Sequence, residues 1–165
     1  MLTILDTIRD SKLFGPWFRD PGTWRAWLSF LAALFGLPMT ATEFAVYQRH
    51  TGRQDPPSEP VREGWVIVGR RGGKSFISAL VAVFLACFRD YSDVLAPGER
   101  GTLMVLAADR RQARTVFRYI SGLIDGVPML ARMVESRTAE AINLNNGVSI
   151  EVHTDSFRAV RGYTL

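Results

Sequence analysis

Gly69-Arg70-Arg71-Gly72-Gly73-Lys74-Ser75 is a stretch of this chain in which residue types and spacing add up to chemistry. Two adjacent glycines allow the backbone to curl so that successive N–H groups converge on an anion, and Lys74 and Ser75 follow at once. A lysine at that point sets a positive charge against phosphate oxygens, while the serine hydroxyl is a ligand for a magnesium ion bridging them. The flanks give the pattern its meaning. Trp65 to Val68 is a short, partly β-branched apolar run that reads as a buried strand of a parallel sheet. Ser75 to Phe88 is apolar all round and too long for a strand, so it reads as a helix buried against that sheet. A glycine-rich turn between strand and helix, with the helix dipole behind it, is a site for ATP and Mg2+. The nucleotide-binding residues are then Gly69, Arg70, Arg71, Gly72, Gly73, Lys74 and Ser75, with Ser75 on the metal. The competing reading is an ordinary glycine turn entering a helix.

The elements that must carry this loop fall into three segments. Residues 1–50 form a helical front, in which Trp24, Trp27, Leu28, Leu31, Leu34 and Phe35 recur at three- and four-residue steps and read as a packing face. Residues 51–62 hold Gly52, Pro56, Pro57 and Pro60 among polar neighbours and read as a linker. Residues 63–165 then alternate strand and helix signals. Thr102 to Ala108 is a second buried strand, and Asp109 with Gln112 three residues on is a capping-box pattern for a helix whose apolar face is Ala113, Val116, Phe117, Ile120 and Ile124. Gly126 and Pro128 precede a short helix through Glu135. Ala141 to Val152 alternates around Asn145-Asn146-Gly147, a hairpin signal. The sum is an α/β fold, a parallel sheet with flanking helices, expected to be incomplete at its C-terminus.

Composition narrows the function classes. The chain has 165 residues, 47% of them hydrophobic, and a formal charge of +4, and its basic residues are all arginine except Lys12 and Lys74. An arginine-rich surface suits a nucleic-acid partner, and equally a solvated face. Arg110, Arg114 and Arg118, at four-residue steps, form a basic stripe open to both readings. Cys87 is the single cysteine and reads as core, which excludes an internal disulfide and fits a reducing compartment. His50 and His153 stand apart and read as surface or satisfied core groups. The apolar stretches Leu28 to Met39 and Phe76 to Phe88 fall short of the ~20 residues of a membrane span, so no membrane partner is expected.

One departure sharpens the loop. The usual phosphate-loop pattern has a glycine five residues before its last glycine; that position is Val68, and the glycine stands at Gly69. With arginines at 70 and 71, the loop resembles the variant Walker A of phage terminase large subunits, which commonly carries an arginine shortly before the Gly-Lys-Ser/Thr. His50-Thr51-Gly52-Arg53, Ala107-Ala108-Asp109-Arg110-Arg111-Gln112-Ala113 and Arg158-Ala159-Val160-Arg161-Gly162 extend the resemblance over roughly Phe44 to the end. It implies a P-loop NTPase fold of the translocase type and a DNA-packaging motor that couples ATP hydrolysis to moving double-stranded DNA into a capsid. Lys74 and Arg70 would be catalytic, Arg70 acting in cis on the γ-phosphate. Residues upstream of the loop would hold the adenine, which points to Arg53 and Gln48, and to Gln54.

The implied partners are the terminase small subunit, the portal protein and further copies in a homo-oligomeric ring. The implied location is the cytoplasm of a bacterial host, transiently on the procapsid portal. The Walker B acids and the nuclease domain are expected beyond Leu165, which predicts slow hydrolysis by this chain alone. Asp109, following an apolar strand, is the alternative Walker B acid. Alternative functions are another DNA-translocating, helicase-like ATPase, or a truncated remnant that binds a partner without turnover.

Overall fold

The helical front is broken into pieces by its own caps. Thr3 and Asp6 form a reciprocal capping box that starts α1 (Ile4–Arg9), and Asp20 accepts the Gly22 amide to start α2 (Pro21–Leu34). A second box, Thr40 with Glu43, starts α3 (Ala41–Thr51), and a 3₁₀ turn, Gly15–Trp17, lies between α1 and α2. The structure, a computed structural model, describes residues 2–154, and it divides into two compact units, the first ending at Arg70 and the second beginning at Arg71.

In the first unit α1 and α3 pack on α2, with Ile4, Phe14, Leu31 and Ala32 fully buried. The stripe expected on α2 is therefore a packing face, although Trp24, Trp27 and Leu28 stay half-exposed while Leu31 and Phe35 go inside. Buried Ser29 donates its hydroxyl to the Glu43 carbonyl at 2.7 Å, which ties α2 to the first turn of α3 without leaving a polar group unsatisfied.

The second unit is α/β, with a four-stranded open sheet in the order β1-β4-β3-β2. Its strands are β1 (Gly101–Ala107), β2 (Val134–Arg137), β3 (Ala141–Leu144) and β4 (Val148–Thr154), and its helices α4 (Lys74–Phe88), α5 (Arg110–Asp125) and α6 (Pro128–Ala131). β1 runs parallel to β4 in register from Gly101↔Val148 to Ala107↔Thr154. β4, β3 and β2 form an antiparallel meander, so the sheet is mixed rather than parallel as the sequence suggested. The hairpin read at Asn145-Asn146-Gly147 joins β3 to β4, and Asn146 Nδ2 donates to the Ala86 carbonyl at 2.8 Å near the end of α4.

α4 and α5 pack against each other and against β1 and β4. Leu80, Val83 and Phe84 of α4 meet a core containing Ile120 and Ile124 of α5 and Ile142, Leu144 and Ile150 of the sheet, each without exposed surface. Each such side chain contributes about 1.5–3 kcal/mol of burial. α4 is buried on most of its circumference, Ala79, Ala82 and Ala86 going inside along with Ile77, Leu80, Val83 and Phe84, while Ser78 is exposed. Polar groups cross the sheet in series, Ser149 donating to Asn143 at 2.7 Å and Asn143 to Ser136 at 2.8 Å. Arg137 closes a bidentate pair on Asp125, and that hydrogen bonding holds the Asp125 carboxyl below the usual carboxylate range.

Two local expectations are overturned. Trp65 to Val68 is not a strand: no described residue pairs with it, and Trp65 and Ile67 are 89% and 104% exposed. A β-branched run supplies propensity, but a strand also needs a ladder partner. The helix expected through Glu135 ends at Ala131, and Val134–Arg137 is β2, held by pairing to β3 that local sequence does not reveal. β1 is where the second strand was expected, but it is half-exposed along most of its length, with Leu106 48% exposed, because it is an edge of the sheet.

Cys87 lies half-buried on α4, and its burial pushes the thiol up to about 12. Below the unfolded thiol value of roughly 8.5 both states hold the proton, so pH has no effect through this group. Above it the unfolded chain ionises first, and stability falls by about 2 kcal/mol by roughly pH 10. Denaturant melts of the parent and Cys87→Ala at neutral pH and at that alkaline pH should show this extra loss in the parent alone. Equal losses would mean the thiol ionises in the folded chain as it does in the unfolded one.

Candidate functional site

The turn into α4 is built from backbone handedness. Arg71 has φ 61° and Gly73 has φ 82°, while Gly72 between them is not left-handed. Arg71 is the sole non-glycine residue with positive φ among the described residues. Such residues are uncommon and cluster where a backbone is shaped for a ligand. Alternation of hand over consecutive residues turns neighbouring N–H groups to one side, the arrangement that makes an anion-binding nest.

Gly73 is also the N-cap of α4, and no side chain caps it. The amides of Phe76 and Ile77 both turn back to the Gly73 carbonyl at 3.0 Å. Lys74 and Ser75, the first two helical residues, therefore keep their N–H groups directed out of the helix start, where the dipole favours negative charge. Lys74 is exposed and Ser75 half-buried. The turn offers helix-start amides, an exposed cation and a hydroxyl in three successive residues, a donor set that fits phosphate oxygens.

The other predicted residues distribute as follows. Arg71, Gly72, Gly73, Lys74 and Ser75 share this turn in the second unit, whereas Gly69 and Arg70 close the first. A Cβ on Gly69 would meet no atom within 4 Å, so its missing side chain is not required where it stands. Gln48 donates to Gln54 at 3.2 Å, and Arg53 is exposed just past the left-handed Gly52 that ends α3. All three belong to the first unit. The turn is thus entered from an exposed segment and not from a paired strand, so only the loop-to-helix half of the sequence pattern is present.

Asp109 acts as a cap: its carboxylate accepts the Gln112 amide at 2.8 Å at the start of α5. His50 Nδ1 meets the Val46 carbonyl at 2.8 Å, and His153 Nε2 meets Glu151 at 2.7 Å. Among the described residues no three His, Cys, Asp or Glu side chains gather as a metal site. A magnesium ion at this turn would take its ligands from the phosphates, from water and from Ser75, as that ion commonly does. Sequence reasoning missed the left-handed Arg71, because an arginine carries no local signal for positive φ. The segment Arg158 to Gly162, used in the resemblance, lies outside the described residues.

No family model matches the chain, and no curated protein matches it in sequence. Among the described residues no helix is long and apolar enough to cross a membrane.

Proposed function

We propose that this chain carries the ATP-binding part of a P-loop NTPase that moves double-stranded DNA, in the manner of a terminase large subunit. The observation that supports this most is the turn of alternating hand at Arg71 to Gly73, which opens an uncapped helix on Lys74 and Ser75. The amides and the Lys74 ammonium bind and orient the β- and γ-phosphates, and Ser75 would hold Mg2+, which when bound would neutralise phosphate charge. Arg70, by the resemblance, stabilises charge on the transferring phosphoryl group. Arg53 and Gln48, by the same resemblance, would be the residues for the base. The small subunit, the portal and further copies in a ring are the partners this reading brings, in the cytoplasm of a bacterial host.

The test is equilibrium binding of a fluorescent ATP analogue with magnesium to the chain and to Lys74→Ala. Loss of a hydrogen-bonded charge pair of about 1.5–3 kcal/mol predicts weakening on the order of tenfold to a hundredfold. Equal binding by both, or none by the parent, would remove the nucleotide reading and leave a turn whose shape serves the fold.

A further inference from the structure

Outside the turn, the strongest concentration of charge in the second unit is on α5. Arg110, Arg111, Arg114 and Arg118 fall within nine residues, and the helix has no acid before Asp125. Arg110, Arg111, Arg114 and Arg118 line one open groove of ≈ 570 Å³ whose floor is Phe117. A second groove of ≈ 250 Å³ shares Arg110, Arg114 and Phe117 and continues to Glu140, His153 and Thr154. The two are one surface, crossing α5 and reaching the end of β4.

Among the described residues these guanidiniums form no ion pair. All four are exposed, on the side of α5 away from buried Val116, Ile120 and Ile124. The ion pairs among the described residues involve Arg9, Arg100, Arg137 and His153, and none of these four. Arg118 reaches only the Thr115 hydroxyl, at 3.5 Å. The nearby acids are accounted for: Asp109 accepts the Gln112 amide, Glu151 meets His153, and Asp125 is held by Arg137 at the far end of the helix. Among the described residues Glu140, at the β4 end of the second groove, is the one acid that lines it with Arg110 and Arg114. Four like charges held together repel one another, so the surface gains from any polyanion laid along it.

The shape of the row selects among polyanions. Arg110, Arg114 and Arg118 repeat every four residues, about 6 Å apart along the axis and turned about 40° at each step, so they form a gently winding row along the helix. One aromatic side chain, half-buried Phe117, is too few to stack the bases of an unpaired strand. A duplex instead presents its phosphates outward in a regular path and needs no base contact. We propose that the Arg110, Arg111, Arg114 and Arg118 face of α5 binds the phosphate backbone of double-helical DNA, independent of sequence. The choice of DNA over double-stranded RNA rests on the translocase reading above.

The experiment measures binding of a labelled random-sequence DNA duplex to the chain without nucleotide, across a salt series. The variant Arg110→Gln/Arg114→Gln/Arg118→Gln should bind on the order of tenfold or more weakly at low salt, and the slope of log affinity against log salt should shrink by about three. The matching triple Arg→Lys variant should keep the slope, since it keeps the charge. Because the duplex is titrated without nucleotide, a failure of the nucleotide reading leaves this result standing. Parent-like affinity and slope in the glutamine variant overturn the proposal, as does loss of slope in the lysine variant, or tighter binding of a double-stranded RNA of the same length.

Discussion

Gly73→Val is expected to weaken binding of the ATP analogue on the order of a hundredfold, at least as much as removal of the Lys74 charge, while leaving the sheet intact. Gly73 has φ 82° and ψ 3°, and it is the residue from which α4 departs. A β-branched residue held in that conformation is strained by about 1–2 kcal/mol, so the chain relaxes by moving the turn. Its movement carries away the Gly73 carbonyl that gathers the Phe76 and Ile77 amides and reorients the Lys74 and Ser75 N–H groups. Each charge-assisted hydrogen bond lost from a phosphate adds about 1.5–3 kcal/mol. Gly69→Ala is the control. Its Cβ would enter open space, so binding should change by less than roughly twofold if Gly69 acts only through its conformation, a change within the scatter of ordinary surface substitutions. Titration of both variants with the same analogue decides it. Parent-like affinity in Gly73→Val would show that the left-handed turn does not present the amides.

The contrast between these two glycines shows what the sequence could express about the site. Residue types at 72 to 75 name the chemistry, and the helix after them was legible because Ser75 to Phe88 is long and apolar. Which residues turn left-handed was not legible. The sequence offers Gly69, Gly72 and Gly73 as places to turn left-handed, and the chain does so at Gly73 and at Arg71. Side-chain type permits a conformation at glycine, but a folded loop imposes one, and at Arg71 it does so against the residue's own preference.

The fold divides along the same line between local and distant causes. Asp109 caps α5 by reaching an amide three residues away, and Asn145-Asn146-Gly147 closes a hairpin between adjacent strands, so both could be read from a short window. β2 is a strand because β3 lies beside it, and Trp65 to Val68 is not one because nothing described does. Neither fact is written in four residues of local sequence. The sheet was expected to be parallel because strand and helix signals alternate up to Asp109. The meander after α6 follows from a run of short strands whose pairing is decided by the Ser136–Asn143–Ser149 series and by burial of Ile142 and Ile150.

The largest loss of stability from a single added methyl should come at Gly36, in the first unit. The end of α2 is a left-handed turn of the Schellman kind, with Leu37 donating to the Ala32 carbonyl at 2.8 Å and Gly36 to Ala33 at 3.3 Å. Gly36 has φ 60°, and a Cβ built there would lie 2.2 Å from the carbonyl carbon of Glu59 and 2.5 Å from its Cα and oxygen. Those are backbone atoms, so no rotamer change relieves the overlap; either the helix end or the segment around Glu59 must move. That segment is anchored by the Val61 amide on the Leu34 carbonyl at 3.1 Å, two residues along each chain segment from the clash. Strain at a left-handed alanine and the forced displacement together cost about 3–5 kcal/mol in Gly36→Ala. For a unit of this size the midpoint of melting should fall by more than roughly 10 °C. Trp17, Trp24, Trp27 and Trp65 are the only tryptophans, and all precede Arg70, so tryptophan fluorescence follows this unit specifically. A drop of under about 1 kcal/mol in that signal would mean that the Glu59 backbone yields freely and that the proline-rich stretch before it is not fastened to α2.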